Sequence, residues 1–272
     1  MAKTIFITGA SKGFGRVWAE AALKRGDKVT GTARNLDDIK DLTEQYKDSF
    51  LGLKLDVNNR QQCFDTVNQA NEQFGSIDVL ISNAGYGHFG FLEETSEAEA
   101  RNQIETNVFG SLWVIQAVLP IMRKQQSGHI LQVSSIGGVA AFPIISVYHA
   151  SKWAVEGLCE SLSQEVKGFG INITLIEPGS FSTDWGTTSA SMSTPMEEYE
   201  ELRKTFYEGF AGYESGDPLA TGPAVLKVID AENPPLRVLL GKGTVEMIDS
   251  IYQQRLSTWK EWRTVSEEAQ GK

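Results

Sequence analysis

A three-layer α/β fold, a doubly wound parallel sheet of about seven strands, is predicted by three observations on this 272-residue chain. Short β-branched runs alternate with longer stretches of helical period. The strand runs are almost continuously apolar, as expected of strands covered by helices on both faces. A glycine-rich turn joins the first strand to the first helix, at 8–15.

The elements follow in order. "KTIFIT" (3–8) reads as strand one, followed by the glycine turn and a helix through about Arg25. "DKVTGTAR" (27–34) is strand two, and "FLGLKLDV" (50–57) strand three, with a helix before it and another over about 59–74. "SIDVLISNAG" (76–85), "GHILQVSS" (128–135) and "INITLIEPG" (171–179) are strands four to six, and "PLRVLL" (235–240) a candidate seventh. In 101–123, Ile104, Val108, Leu112, Ile115, Leu119 and Met122 recur at spacings of three and four, giving one apolar face. In 148–168, Ala150, Ala154, Gly157, Leu158, Ser161 and Leu162 form such a face with smaller residues.

Residues 180–222 break the alternation with Trp185, a Ser/Thr-rich stretch to Thr194, Pro195 and the acidic run "MEEYEELRKTFYEGF". Ligands of a parallel sheet sit beyond the carboxyl ends of its strands, so an insertion after strand six predicts a substrate lid. A helical tail is expected over about 243–268. No linker or repeat intervenes, so residues 1–272 are expected to form one domain.

Composition narrows the function classes. Net charge is −10, with no basic run, which argues against nucleic acid and anionic membrane as partners. No signal peptide and no membrane-spanning apolar stretch is read, so a cytoplasmic protein is expected. Cys63 and Cys159 lack metal or redox spacing and are expected as buried free thiols; no metal site is expected.

The turn "TGASKGFG" (8–15) places Gly9, Gly13 and Gly15 between strand and helix, where backbone N–H groups can approach a pyrophosphate. Its spacing is not the common G-x-G-x-x-G, since Trp18 holds the third position. Strand two ends in Ala33-Arg34-Asn35, without the acid that would hold a ribose 2′-hydroxyl. Arg34, with Lys12 in the glycine turn, suits a 2′-phosphate and so NADP.

"YHASK" (148–152) sets Tyr148 and Lys152 on one helix face. An ammonium beside a phenol favours phenolate, making tyrosine usable as a general acid/base near neutrality. Ser135 ends strand five, where a hydroxyl can bond a substrate oxygen as it gains charge. Asn107 is a poor helix former inside a helix; it either bends the helix and holds a water or faces solvent.

Together these residues resemble the short-chain dehydrogenase/reductase family in its compact NADP-preferring form. The match runs in order through T-G-x-x-x-G-x-G at 8–15, Asp56, N-A-G at 83–85, Asn107, Ser135, Y-x-x-x-K at 148–152 and P-G-x-x-x-T at 178–183. The resemblance implies a Rossmann-type fold that binds NADP(H) along Gly9, Ser11, Lys12, Gly13, Phe14 and Gly15, then Arg34, Asp56, Val57, Asn83, Ala84, Gly85, Pro178, Gly179 and Thr183. It implies that Tyr148 moves the proton, Lys152 lowers its pKa and bonds the nicotinamide ribose, Ser135 orients the carbonyl, and Asn107 holds a water in a relay to Lys152. Phe14 departs from the family's smaller residue, with an effect expected on local packing only. The tail loosely resembles the hydroxysteroid and retinol dehydrogenase branch.

Tyr86, His88, Phe89, Phe142, Phe181, Trp185 and Tyr207 fall in the segments expected around the substrate, and suggest an apolar pocket for a hydrophobic ketone, aldehyde or alcohol. His88 and His149 are expected as local hydrogen-bonders, with His149 pointing away from the site. The resemblance also implies a homodimer or homotetramer through helices 101–123 and 148–168. Competing readings are a catalytically silent NADP-binding sensor or structural protein, and a hydroxysteroid- or retinol-type alcohol dehydrogenase. The sugar epimerases and dehydratases, which share Y-x-x-x-K, differ in glycine spacing and carry a larger C-terminal domain.

Overall fold

The computed structural model describes residues 2–183, 185, 190–210 and 214–271. Part of the expected lid, 184, 186–189 and 211–213, lies outside the described residues. The elements run β1 (Thr4–Ile7), α1 (Gly13–Arg25), β2 (Lys28–Ala33), α2 (Lys40–Tyr46), β3 (Phe50–Lys54), α3 (Arg60–Phe74), β4 (Val79–Ser82) and β5 (His88–Phe89). Then come α4 (Glu97–Ile104), a π-helical turn (Glu105–Phe109), α5 (Gly110–Gln125), β6 (Gly128–Val133), α6 (Ser146–Glu165), β7 (Ile171–Pro178) and β8 (Ser191–Met192). The chain continues through α7 (Glu200–Phe210), α8 (Thr221–Asp230), β9 (Arg237–Leu240), α9 (Thr244–Glu261) and α10 (Arg263–Glu268).

Seven strands form one parallel sheet in the order β3-β2-β1-β4-β6-β7-β9. The apolar runs are continuous because each strand serves two cores. In β1, Ile5 and Ile7 face the core shared with Trp18, Ala22 and Val225, while Phe6 faces the one shared with Val67, Val114 and Leu162. Val79 and Ile81 against Leu80 in β4 divide the same way, as successive side chains alternate across a sheet. Strand order reverses between β1 and β4, so the loops after these two strands part and leave a crevice at the sheet's carboxyl edge.

Four expectations need correction. The helix expected over 101–123 starts at Glu97, where Ser96 accepts from the Glu99 backbone and Glu99 returns to the Ser96 N–H, a capping box. Within that same run, Glu97–Gln125, one window of 18 residues does reach membrane-spanning apolarity, with mean hydropathy 1.3. The apolarity is spent on the sheet: Val114, Ile115, Val118 and Met122 are buried in the body. The expected lid ends too late, because residues from Thr221 onward form α8, whose Val225 and Ile229 belong to the core. Trp18 fixes α8 on α1 by donating from Nε1 to Thr221 Oγ1 at 2.8 Å. Finally, β5 and β8 pair in parallel as a small second sheet, which ties the segment after β7 to the loop after β4. Two-residue strands carry too little pattern to be read in advance.

Cys63 and Cys159 are buried and free, as expected. His129 is buried in β6, and its Nε2 lies 2.9 Å from Thr174 Oγ1. That hydroxyl donates to the Pro235 carbonyl, so it accepts from the imidazole. Burial pushes His129 down to about 4. Its unfolded value is near 6.5, so its share of stability is complete above that pH and is lost as pH falls toward 4. His129→Gln is therefore expected to remove roughly 2–3 kcal/mol of the acid-dependent loss between pH 7 and pH 4.5, read from urea unfolding midpoints.

Candidate active site

A cavity of about 1100 Å³ occupies the crevice at the switch point, bounded by residues from Gly9 in the first loop to Met247 in α9. Its floor is the glycine turn. Gly9 has φ +69° and Gly13 φ +55°, the left-handed region. A Cβ on Gly15 would sit 2.2 Å from the Gly9 carbonyl oxygen and 2.6 Å from Asn83 Nδ2. Asn83 Nδ2 donates to the carbonyls of Thr8 (2.9 Å) and Gly9 (3.1 Å), and Thr8 Oγ1 accepts from the N–H groups of Asn83 and Ala84. The loops after β1 and β4 are thus cross-bonded side by side. Phe14 does more than pack locally: it stacks on Trp18 at 5.1 Å, meets Phe181 edge-on at 5.3 Å and lines the cavity.

Lys12 and Arg34 are exposed and both line the cavity. Neither takes part in an ion pair among the described residues. A concave glycine cradle between β1 and α1, open to the cavity, fits the pyrophosphate of a nicotinamide dinucleotide. Asp56 and Val57 continue the lining beside Arg34, and Pro178, Gly179 and Thr183 close it beyond β7. Gly15 lies beneath the cradle and leaves room for it.

The π turn explains Asn107. Its widened backbone breaks the α-helical ladder where asparagine is a poor helix former. The side chain turns inward, accepting from the Tyr86 N–H (3.1 Å) and donating to the Tyr86 carbonyl and Ser151 Oγ (both 3.0 Å). It is buried and holds the loop after β4 against α6.

Tyr148 and Lys152 are 4% and 7% exposed, both on the cavity wall. Lys152 Nζ donates to the Val133 carbonyl at 2.9 Å and lies 5.7 Å from the centre of the phenol ring. Burial drives Lys152 down to about 8, with Glu156 pulling the other way. Burial likewise pushes Tyr148 up to about 12, against a hydrogen bond from Ser135 that favours the phenolate. Ser135 also accepts from the Gly137 N–H at 3.0 Å, which fixes its hydroxyl at the end of β6. The phenol is therefore protonated in this state, with a hydroxyl and a buried cation beside it. Ile144, a β-branched residue at φ +74°, sits in the same loop. Its carbonyl accepts from the Gly90 N–H at 2.6 Å, so backbone strain is held where the wall is formed.

Tyr86, Phe89, Phe142, Phe181, Trp185 and Tyr207 line the cavity as expected. Trp185 lies over Tyr148 (4.9 Å between ring centres) and Phe89 (5.4 Å). His88 does not reach the cavity. It is buried in β5, with Nε2 2.8 Å from Ser193 Oγ, because the β5–β8 pairing turns its ring toward the lid strand. His149 is the opposite case: expected to point away, it lines the cavity. Its Nδ1 accepts from the Phe142 N–H at 3.2 Å, and burial pushes it down to about 4. The loop 136–146 folds back onto α6 and brings the wall to His149, which helix spacing alone does not reveal. Sequence reasoning also missed Met192, Phe206 and Met247 on the wall; the alternation of β8 was too short to read, and Met247 is one apolar residue in an amphipathic tail.

Gly15→Ala is expected to weaken nucleotide binding at least about a hundredfold and to cost roughly 2 kcal/mol of stability, since backbone rather than a flexible side chain meets the new methyl. Isothermal titration with NADPH and thermal unfolding check the two effects.

The short chain dehydrogenase family model matches residues 3–193. An oxidoreductase of Botryotinia fuckeliana, BOA17, is 40% identical over 270 residues, covering 98% of each chain. The crystal structure of a short-chain dehydrogenase from Streptomyces avermitilis is 37% identical, covers 98% of each chain and superposes with a TM-score of 0.92. The structure of ElxO with NADP bound is 26% identical, with a TM-score of 0.75 over 90% of this chain and all of that one. With its switch-point cradle, and with Ser135 on the same cavity wall as the buried Tyr148 and Lys152, this chain belongs to the short-chain dehydrogenase/reductase family of oxidoreductases.

Proposed function

We propose that the protein is an NADPH-dependent reductase of hydrophobic ketones or aldehydes, running reversibly toward the alcohol's oxidation. The observation that carries this is the convergence of Ser135, Tyr148 and Lys152 on the wall of one cavity, roofed by Trp185 and walled by Phe89, Phe142 and Tyr207. NADPH, when bound, supplies the hydride; NADP⁺ accepts it in reverse. Gly9, Ser11, Gly13 and Gly85 offer backbone to the dinucleotide, and Lys12 and Arg34 would meet its 2′-phosphate. The NADP-bound neighbour supports that choice.

The chain's own groups handle the carbonyl oxygen. Ser135 Oγ orients it and bonds it as charge develops. Tyr148 gives its proton to that oxygen in reduction and takes it back in oxidation. Lys152 supports the phenolate left behind, an effect that grows as water is excluded. Asn107 fixes the Tyr86 backbone and Ser151, one residue before Lys152, and so holds the lysine's helix to the nucleotide loop. The aromatic wall selects apolar substituents.

Assembly is proposed as a homodimer or homotetramer through the helices over 101–123 and 148–168, where Phe109 and Trp153 stay about two-fifths exposed (39% and 42%). A monomer in light scattering would overturn it. The proposed partners are otherwise small molecules, with neither nucleic acid nor membrane, in a cytoplasmic setting.

Tyr148→Phe should lower kcat by about 10³-fold or more while leaving the NADPH dissociation constant within about twofold. Unchanged turnover removes the proton-donor assignment, and cofactor binding without any turnover in the wild type favours the silent-sensor reading. Arg34→Ala should weaken NADPH by about tenfold or more and NADH little, as one charge-assisted contact is worth about 1.5–3 kcal/mol. Equal losses would show that Arg34 does not read the phosphate. A panel of aryl ketones, steroids, retinoids and sugars should show NADPH oxidation with the apolar compounds; activity confined to sugars would reverse the pocket assignment.

A further inference from the structure

Tyr148, Lys152, Glu156 and Glu160 stand four residues apart on one face of α6. The first two belong to the proposed reaction. The third is buried with them: Glu156 is 4% exposed. Its Oε2 accepts from Arg237 Nε at 2.9 Å. The same nitrogen lies 3.4 Å from Glu177 Oε1, and Glu177 is 2% exposed. The far end of the guanidinium donates to Glu160 at 2.8 Å. Three carboxylates thus converge on one cation, two of them out of water.

One cation cannot neutralise three carboxylates. Burial and the nearby Glu156 push Glu177 up to about 8, so it is uncharged at neutral pH. Glu156 and Glu160 then share Arg237, leaving one net negative charge. A protonated Glu177 is placed to donate to Glu156, whose Oε1 has no other hydrogen-bond partner among the described residues. Lys152 lies one helical turn away, about 6 Å between Cβ atoms at this spacing. Its ammonium has a carbonyl for a partner and is otherwise penalised by burial, and Glu156 is the charge that opposes that penalty.

We propose that Glu156, gripped by Arg237 and backed by Glu177, is a positioning residue of the reaction that holds Lys152 in its charged form. Every group facing it belongs to the same arrangement. Lys152, Cys159 and Glu160 come from α6, Glu177 from β7 and Arg237 from β9. Ser134 approaches from the end of β6 and Tyr252 from α9, across a second cavity lined by Glu177 and Arg237. The proposal sits outside the nucleotide and substrate walls, since Glu156 touches neither. Only its kinetic consequence rests on the reductase reading; the charge on Lys152 is a property of the chain alone.

The test is the titration of Lys152 in the nucleotide-free protein, followed by NMR of ε-¹³C-lysine with the resonance assigned through Lys152→Arg. Glu156→Gln keeps an acceptor for Arg237 and removes the charge. It is expected to lower the Lys152 midpoint by about one to two pH units, as a unit charge at about this separation does in a partly polar interior. Glu156→Asp restores the midpoint, and Glu177→Gln moves it by less than Glu156→Gln does, because Glu177 is only partly ionised at the pH where Lys152 titrates. With NADPH and a ketone, the alkaline limb of kcat should move down with Glu156→Gln by the same amount. Where glutamine disturbs the Arg237 bond, Glu156→Met gives the same reading from an uncharged side chain of similar volume. A midpoint unchanged in both the Gln and Met variants, with lowered thermal stability alone, overturns the proposal. Absence of turnover in the wild type with every ketone would instead remove the reductase reading and leave the lysine titration to decide this one.

Discussion

A cation held nearly out of water governs this site. Lys152 has one carbonyl within hydrogen-bond reach, and burial favours loss of its proton. Moving a charge into such a place is costly unless it is paired and bonded. The surroundings are arranged accordingly. The helix that carries the lysine is pinned through Ser151 to the π turn, and the carbonyl that receives Nζ belongs to the last residue of β6. The phenol that needs the charge stands one turn before it on α6. Tuning of Tyr148 is thus a joint property of three elements whose relative placement is set by sheet order.

That dependence explains why the structure leaves Tyr148 far from a neutral-pH acid. Burial dominates there, and the Ser135 hydroxyl is the group that opposes it. The lysine turns to a backbone carbonyl rather than to the phenol. A cationic nicotinamide ring and its ribose would change both conditions, adding positive charge and offering Lys152 new acceptors. The aromatic roof of Trp185 serves the same end by excluding water, which strengthens every charge interaction beneath it.

Much of this was legible in the sequence, for physical reasons that can be named. The strands were readable because each must serve two cores, which forces continuous apolar runs. The glycine turn was readable because a Cβ on Gly15 would meet the Gly9 carbonyl. Tyr148 and Lys152 were readable because four residues make one helical turn. Asn107 stood out as a misfit, yet both of its possible fates were open until the π turn showed it facing inward. His88 and His149 exchanged places relative to expectation. Their positions depend on loops that fold back, a two-residue sheet in one case and the wall carrying Ile144 in the other. The boundary between lid and α8 failed for a similar reason, since Thr221 owes its place to a tryptophan far away in sequence.

That tryptophan carries a consequence for how the molecule assembles. Trp18 is fully buried in the first helix, yet its indole N–H is satisfied by a hydroxyl 203 positions later. The edge of the same helix is tied as distantly, from Arg25 to Asp230, 205 positions on. A chain growing from its N-terminus would therefore expose a large apolar ring and an unpaired donor until α8 arrives. Loop closure over that span comes late and slowly, as in other folds dominated by non-local contacts. The nucleotide cradle begins with the first strand, but the helix that opens it acquires its full packing only once α8 has been made.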